Sequence, residues 1–204
     1  MFKARLSSFK KVWTHGSDVR IFEELCYCIC TAREKAENAL NAVSALTKNN
    51  YDILVNGNYD KIDKVLFENG IALHPVKAER ILKNRAVFYP NTKKKLQEKY
   101  RFDNIREVRE GLVRDVIGFG CKEASHFLRN IGCGSGLAII DRHIKRQLIK
   151  YGVINESGAA RTNISKKQYY EIEERMTEFA NKLEIPMDIL DMVLMYRENK
   201  EIIK

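Results

Sequence analysis

Residues 116–132 read VIGFGCKEASHFLRNIG. Gly118 and Gly120 stand either side of Phe119, and a helical pattern opens directly behind them. Two glycines this close mark a tight turn, because glycine takes positive φ without the clash other residues meet. Lys122 follows two positions after the second glycine. The flanking chain decides what the turn does.

On both sides the periodicity is helical. Ile105 to Val116 reads as the helix that enters the turn, and Lys122 to Ile131 as the one that leaves it. Further upstream, Phe22, Leu25, Cys26 and Ile29 recur at i, i+3, i+4 and i+7 behind Ser17-Asp18, a capping pair. Ala36, Ala39, Leu40, Val43 and Leu46 form a second helix, closed by Asn49-Asn50. Ile62, Val65 and Leu66 form a short third, stopped by Asn69-Gly70, and Pro75 opens a fourth over PVKAERILKNRAVF. Downstream, Asp141 to Tyr151, Ser165 to Leu183 and a stretch from Pro186 towards Asn199 complete the set. Residues 89–103, 132–138 and 152–163 read as looser connections. The fold class expected is all-α, one unit over residues 1–204 with two helical lobes around a groove, and the turn motif spanning about 108–131.

Composition narrows the partners. The chain has 204 residues, a net charge of +9 and 45% hydrophobic residues. That is apolar enough to fold, and basic enough to suit a polyanion. No run of about 18 apolar residues is present, which excludes a membrane-spanning helix. The N-terminal MFKARLSSFKK lacks the apolar core of a signal peptide, so a cytoplasmic, nucleoid-associated protein is expected. Five cysteines agree: Cys26, Cys28 and Cys30 alternate, Cys121 and Cys133 stand apart, and no pairing pattern or iron–sulfur spacing emerges. On a helix Cys28 points away from Cys26 and Cys30, so the three read as core residues of a reducing compartment.

Helix, apolar-Gly-apolar-Gly, helix is the helix-hairpin-helix pattern, carried here by Ile117-Gly118-Phe119-Gly120. The glycines let the backbone approach a phosphate, and the next helix start offers N–H groups and a positive dipole end. Such a device grips nucleic acid without reading its sequence. AIIDRHI follows, placing Asp141 nineteen positions beyond Lys122. Lys122 at the mouth of the hairpin and Asp141 at a helix start can face each other across a cleft. A lysine amine is a nucleophile when its surroundings lower its pKa, and a carboxylate beside it stabilises an oxocarbenium-like sugar. The plainer alternatives are a solvated Lys122 and an Asp141 that only caps its helix.

These motifs resemble the helix-hairpin-helix glycosylase/AP lyases of the endonuclease III superfamily, and more closely its second, largely archaeal class of 8-oxoguanine DNA glycosylases. FEELCYCICTAREKA, HPVKAERI, GFGCKEASHFLRNIG, AIIDRHI and MVLMYRENKEIIK follow that class in order along the chain. The resemblance implies a monomer that acts on double-stranded DNA containing 8-oxoguanine and needs no metal or organic cofactor. It makes Lys122 the nucleophile that forms a Schiff base and Asp141 the assisting carboxylate. The backbone at Gly118, Gly120 and Glu123 becomes the phosphate grip, with His143 as a further phosphate contact. Lys204 becomes a residue reaching the lesion pocket, where its carboxylate would accept a hydrogen bond from N7–H of the oxidised base.

Two positions depart from the pattern. Arg33 stands where relatives often carry Gln or Asn, and either fills the gap left by a flipped base or contacts a phosphate. Met195 replaces the usual Trp before Tyr196, serving as a softer pocket wall or as plain core. His74 reads as a helix cap, His126 as a packing residue and Trp13 as core. Two rivals stand beside this reading: the same chemistry on another oxidised base, and a non-catalytic DNA-binding module.

Overall fold

The computed structural model describes residues 2–155 and 164–199. Within them the chain is helical throughout, with twelve helices and no strand. They are α1 (Phe2–His15), α2 (Asp18–Thr31), α3 (Ala36–Leu46), α4 (Lys48–Asn56), α5 (Tyr59–Glu68) and α6 (His74–Phe88). The rest are α7 (Thr92–Lys99), α8 (Ile105–Asp115), α9 (Cys121–Asn130), α10 (Arg142–Lys150), α11 (Lys166–Lys182) and α12 (Met187–Asn199). None of these helices is long and apolar enough to cross a membrane.

The centre is α2. Ile21, Phe22, Leu25, Tyr27 and Ile29 are all buried, so the helix is apolar on nearly every side and other helices surround it. Cys26, Cys28 and Cys30 are buried free thiols, including the one whose spacing pointed it away from the other two. Buried apolar residues from 21 to 137 form one cluster. A second joins Ala138 and Ile140 to the apolar faces of α10, α11 and α12.

Several local expectations need correction. Residues 89–103 are not a loose connection but contain α7, which shows little apolar periodicity because its inward face amounts to Thr92 and Leu96. It is docked through polar atoms instead: the Lys93 N–H donates to Asp18 Oδ1 at 3.0 Å and Lys93 Nζ to the Trp13 carbonyl at 2.7 Å. The amphipathic α1 escaped notice because Phe9 is its one buried residue. Asn49 and Asn50 do not close α3, which ends at Leu46; at φ of 53° and 59° they lie inside the first turn of α4. His74 does not cap α6 either. Leu73 holds the N-cap position, and His74 Nδ1 lies 2.6 Å from Asp63 Oδ1.

One buried ion pair joins the hairpin to the rest of the protein. Arg109 on α8 donates to both carboxylate oxygens of Glu173 on α11, at 2.6 and 2.8 Å, and to Ser125 Oγ on α9 at 3.3 Å. Its guanidinium also lies over the rings of Tyr169 and Tyr170. Both ion-pair partners are almost wholly buried, so removing one strands the other charge away from water. Arg109→Met is therefore expected to destabilise the fold by about 3–5 kcal/mol in urea unfolding. Adding Glu173→Leu should recover only part of that loss, since Glu173 also accepts the Ala138 N–H.

Candidate active site

The hairpin occupies residues 116–120, between α8 and α9. Gly118 has φ +99°, and a Cβ there would lie 2.7 Å from Cδ of Arg80, whose side chain crosses the turn. Asn84 on α6 clamps the turn from inside the protein. Its Nδ2 donates to the Ile117 carbonyl at 2.9 Å and its Oδ1 accepts the Ile117 N–H at 3.0 Å. Phe119 turns inward against Phe127, while Ile117 is exposed. Gly120 is the N-cap of α9, and its N–H donates to Glu123 Oε2 at 3.2 Å. The other Glu123 oxygen lies 3.0 Å from Lys122 Nζ. One carboxylate thus closes the helix start and pairs with the lysine. The first-turn N–H groups that helix geometry leaves without intrahelical acceptors make this end a place for an anion.

From α9 the chain runs through a glycine-rich loop to Asp141. Gly132, at φ +78°, lets the loop pass α1 so closely that a Cβ would sit 2.4 Å from Cα of Lys10. The loop's end is then fixed by three side chains. The N–H of Ala138 donates to Glu173 at 2.9 Å, that of Ile139 to Asp191 at 3.1 Å, and that of Ile140 to the Tyr169 hydroxyl at 3.3 Å. Asp141 caps α10: its Oδ1 accepts the N–H groups of His143 and Ile144, both at 2.8 Å. Two helix starts, those of α9 and α10, are in this way presented to one space.

That space is a cavity of about 350 Å³, lined by Lys122, Asp141, His143 and Met195 among the residues singled out from sequence. Gly118, Gly120 and Glu123 do not line it and form the hairpin at its side. Arg33 is exposed just past α2, with φ +57°, and lies outside the lining although Thr31 and Glu34 belong to it. His143 Nε2 accepts from Arg142 Nε at 3.1 Å, and Nδ1 lies 3.6 Å from Glu198 of α12. Lys204 lies outside the described residues.

The wall also holds residues not anticipated. His126 packs its ring edge-on to Tyr27 as expected, at 5.6 Å, yet both rings line the cavity. Lys122, His126 and Arg129 are spaced i, i+4, i+7 on α9, a stripe legible in sequence once Lys122 is taken as reactive. Asp191, from α12, had no local signal. It is buried, bonded to the Ile139 N–H and 3.0 Å from Arg129. Burial pushes its carboxyl up to about 6 despite Arg129, with the negative charge of Asp141 adding to the rise. Among the described residues no group of three or more His, Cys, Asp or Glu converges to hold a metal ion.

Helix-hairpin-helix geometry together with an amine and a carboxylate in one cavity defines the helix-hairpin-helix DNA glycosylase class. Within it the chain belongs to the 8-oxoguanine DNA glycosylase family, whose family model matches residues 2–185. The 8-oxoguanine DNA glycosylase/AP lyase of Fusobacterium nucleatum is 36% identical over 208 residues, covering 100% of this chain and 91% of that protein. The Methanocaldococcus jannaschii protein of the same description is 32% identical over 98% of this chain and 90% of its own. Among solved structures, the M. jannaschii glycosylase/lyase in complex with a 15mer DNA containing 8-oxoguanine superposes with a TM-score of 0.87 at 30% identity, covering 100% of this chain and 91% of that one. The Thermotoga maritima 8-oxoguanine DNA glycosylase superposes at 0.85, with 30% identity and the same two coverages.

Asp191 makes stability depend on pH. Its carboxyl holds a proton to higher pH when folded than in an unfolded chain, where the value is about 3.9. Its contribution is therefore complete below about pH 4 and declines as pH rises to about 6. In urea titrations between these limits, Asp191→Asn should lose this part of the wild-type slope; an unchanged slope would mean that the carboxyl is ionised throughout.

Proposed function

We propose that the protein excises 8-oxoguanine from duplex DNA and cuts the strand by amine catalysis, with Lys122 as nucleophile and Asp141 as its carboxylate partner. One observation carries this reading: the two residues come from different helix starts, nineteen positions apart, and line one cavity beside a glycine hairpin. Family membership supplies the substrate class, because the relatives are named for 8-oxoguanine and one is solved with DNA containing it.

The chemistry follows from the placement. The Lys122 amine attacks C1′ of the damaged nucleotide, and the bond to the base breaks with its electron pair leaving on the base. The resulting aminal opens to a Schiff base, and loss of a C2′ proton expels the 3′ phosphate. Asp141 stabilises the positive charge that gathers on the sugar as the base departs. Its hydrogen bonds at the α10 start fix the carboxylate before substrate arrives, so little reorganisation is left for the reaction. The base must leave the duplex to enter the cavity, at a cost of a few kcal/mol that backbone contacts offset. We assign that grip to the Gly118–Gly120 turn and the first-turn N–H groups of α9, with His143 and Arg33 as flanking contacts. Met195 forms part of the pocket wall. An enzyme with this substrate works in the cytoplasm, at the nucleoid.

Borohydride reduction tests the central claim, since it traps a lysine Schiff base on lesion-containing duplex. Lys122→Gln should abolish trapping and strand cleavage while duplex binding persists, and a Gln variant that still traps would assign the amine elsewhere. Asp141→Asn preserves a capping side chain and should slow single-turnover excision by at least 10²-fold with little change in melting temperature. Gly118→Val has to displace Arg80 and adopt a disfavoured φ. It should weaken binding to damaged and undamaged duplex by the same factor, with a lower salt slope; a selective loss for damaged DNA would show that the hairpin reads the lesion.

A further inference from the structure

The grip assigned to the hairpin is made of backbone amides, and the charges nearest to it cancel. Lys122 Nζ lies 3.0 Å from Glu123 Oε1, and Glu123 Oε2 accepts the Gly120 N–H. A phosphate arriving there meets dipoles without a net positive charge. Arg80 of α6 changes that balance. We infer that Arg80 is a further DNA-contact residue, whose guanidinium binds the backbone phosphate held at the hairpin; the inference rests on the hairpin being the phosphate grip proposed above.

Placement carries it. A Cβ on Gly118 would lie 2.7 Å from Cδ of Arg80 and 3.2 Å from both Nε and Nη1, so the guanidinium rests on the turn itself. The helix that bears it is tied to the same turn. Asn84, four residues on, donates through Nδ2 to the carbonyls of Arg80 and Ile117, both at 2.9 Å. The Gly118 N–H has no acceptor among the described residues. Turn N–H groups left open in this way attract anions.

The guanidinium is also uncommitted. Among the described residues it makes no hydrogen bond and pairs with no carboxylate. The neighbouring Glu79 feels its charge, yet that carboxylate lies 2.6 Å from Lys83 Nζ, the main cause of its lowered pKa. Arg80 stands among cations instead. Burial lowers the Lys77 ammonium below its ordinary range; Cys30 and Glu34 oppose the fall, and the charges of Arg80 and Lys122 add to it. An arginine that is partly exposed, unpaired and laid against a glycine turn is placed for an external anion. Its planar fork of N–H donors fits two phosphate oxygens at once. A side chain that only covered Gly118 would need its aliphatic stem and not its charge.

Arg80→Met separates the two, because it keeps an unbranched stem over Gly118 and removes the charge. Affinity is measured from about 50 to 200 mM potassium chloride on an undamaged duplex and on the same duplex with one 8-oxoguanine. For the damaged duplex the Lys122→Gln background is used, so that no strand is cut. Arg80→Met should weaken binding to both duplexes by the same factor, about tenfold at the lowest salt. The slope of log affinity against log salt should become shallower by about 0.9. Arg80→Lys, which keeps the charge, should keep the slope. Arg175→Gln, at an exposed arginine of α11 outside the cavity, should leave the slope as it is; an equal fall there would mean that net charge and not contact sets it. An unchanged slope in Arg80→Met would reduce Arg80 to a cover for the turn, and a loss confined to the damaged duplex would make it a lesion reader instead. Should Arg80→Met fail to fold, Arg80→Gln supplies the same comparison. Binding that Gly118→Val leaves unchanged would remove the hairpin grip itself. A slope lowered by Gly118→Val and not by Arg80→Met would keep the grip and exclude Arg80 from it.

Discussion

Three consecutive backbone amides, those of Ala138, Ile139 and Ile140, are each taken by a buried side chain: Glu173, Asp191 and Tyr169. The rest of the site depends on this arrangement. A glycine-rich loop has no intrinsic reason to end in one place, and its backbone groups would be costly to bury without acceptors. Here the acceptors come from α11 and α12, and two of them are carboxylates that would themselves be intolerable in the interior alone. Arg109 balances Glu173 and Arg129 balances Asp191. Both arginines belong to the hairpin's own helices, α8 and α9, so one set of charges binds the hairpin to the loop that ends at Asp141.

The same economy governs the two helix starts. Glu123 closes α9 with one oxygen and meets Lys122 with the other, and Asp141 closes α10 while its carboxylate borders the cavity. Capping is therefore compatible with the chemistry proposed for Asp141, although from sequence the two look like competing explanations. A side chain whose orientation is fixed by its cap is already aimed, which is what a preorganised site requires.

Local signals carried most of the fold. The long amphipathic helices and the hairpin follow from short-range patterns, and from α8 onward the boundaries found differ from those expected by a single residue. The failures share a cause. α1 and α7 bury too few apolar residues to show a period, and α4 begins in left-handed asparagines that read as an ending. In the site, Lys122, Asp141, His143 and Met195 were legible from motif and resemblance. Asp191, Asn84 and Arg109 were not, because each acts through a partner between 33 and 64 positions away, and no spacing along the chain encodes that.

The cysteines of the central helix carry a last consequence. Burial pushes the Cys30 thiol up to about 12 and that of Cys26 well above its ordinary range. The thiolate, the form that peroxides attack, is then almost absent at neutral pH. Guanine is oxidised under the same conditions that oxidise exposed thiols. The three thiols of the central helix, sealed in the core, are thereby shielded from the episode that creates a repair protein's work.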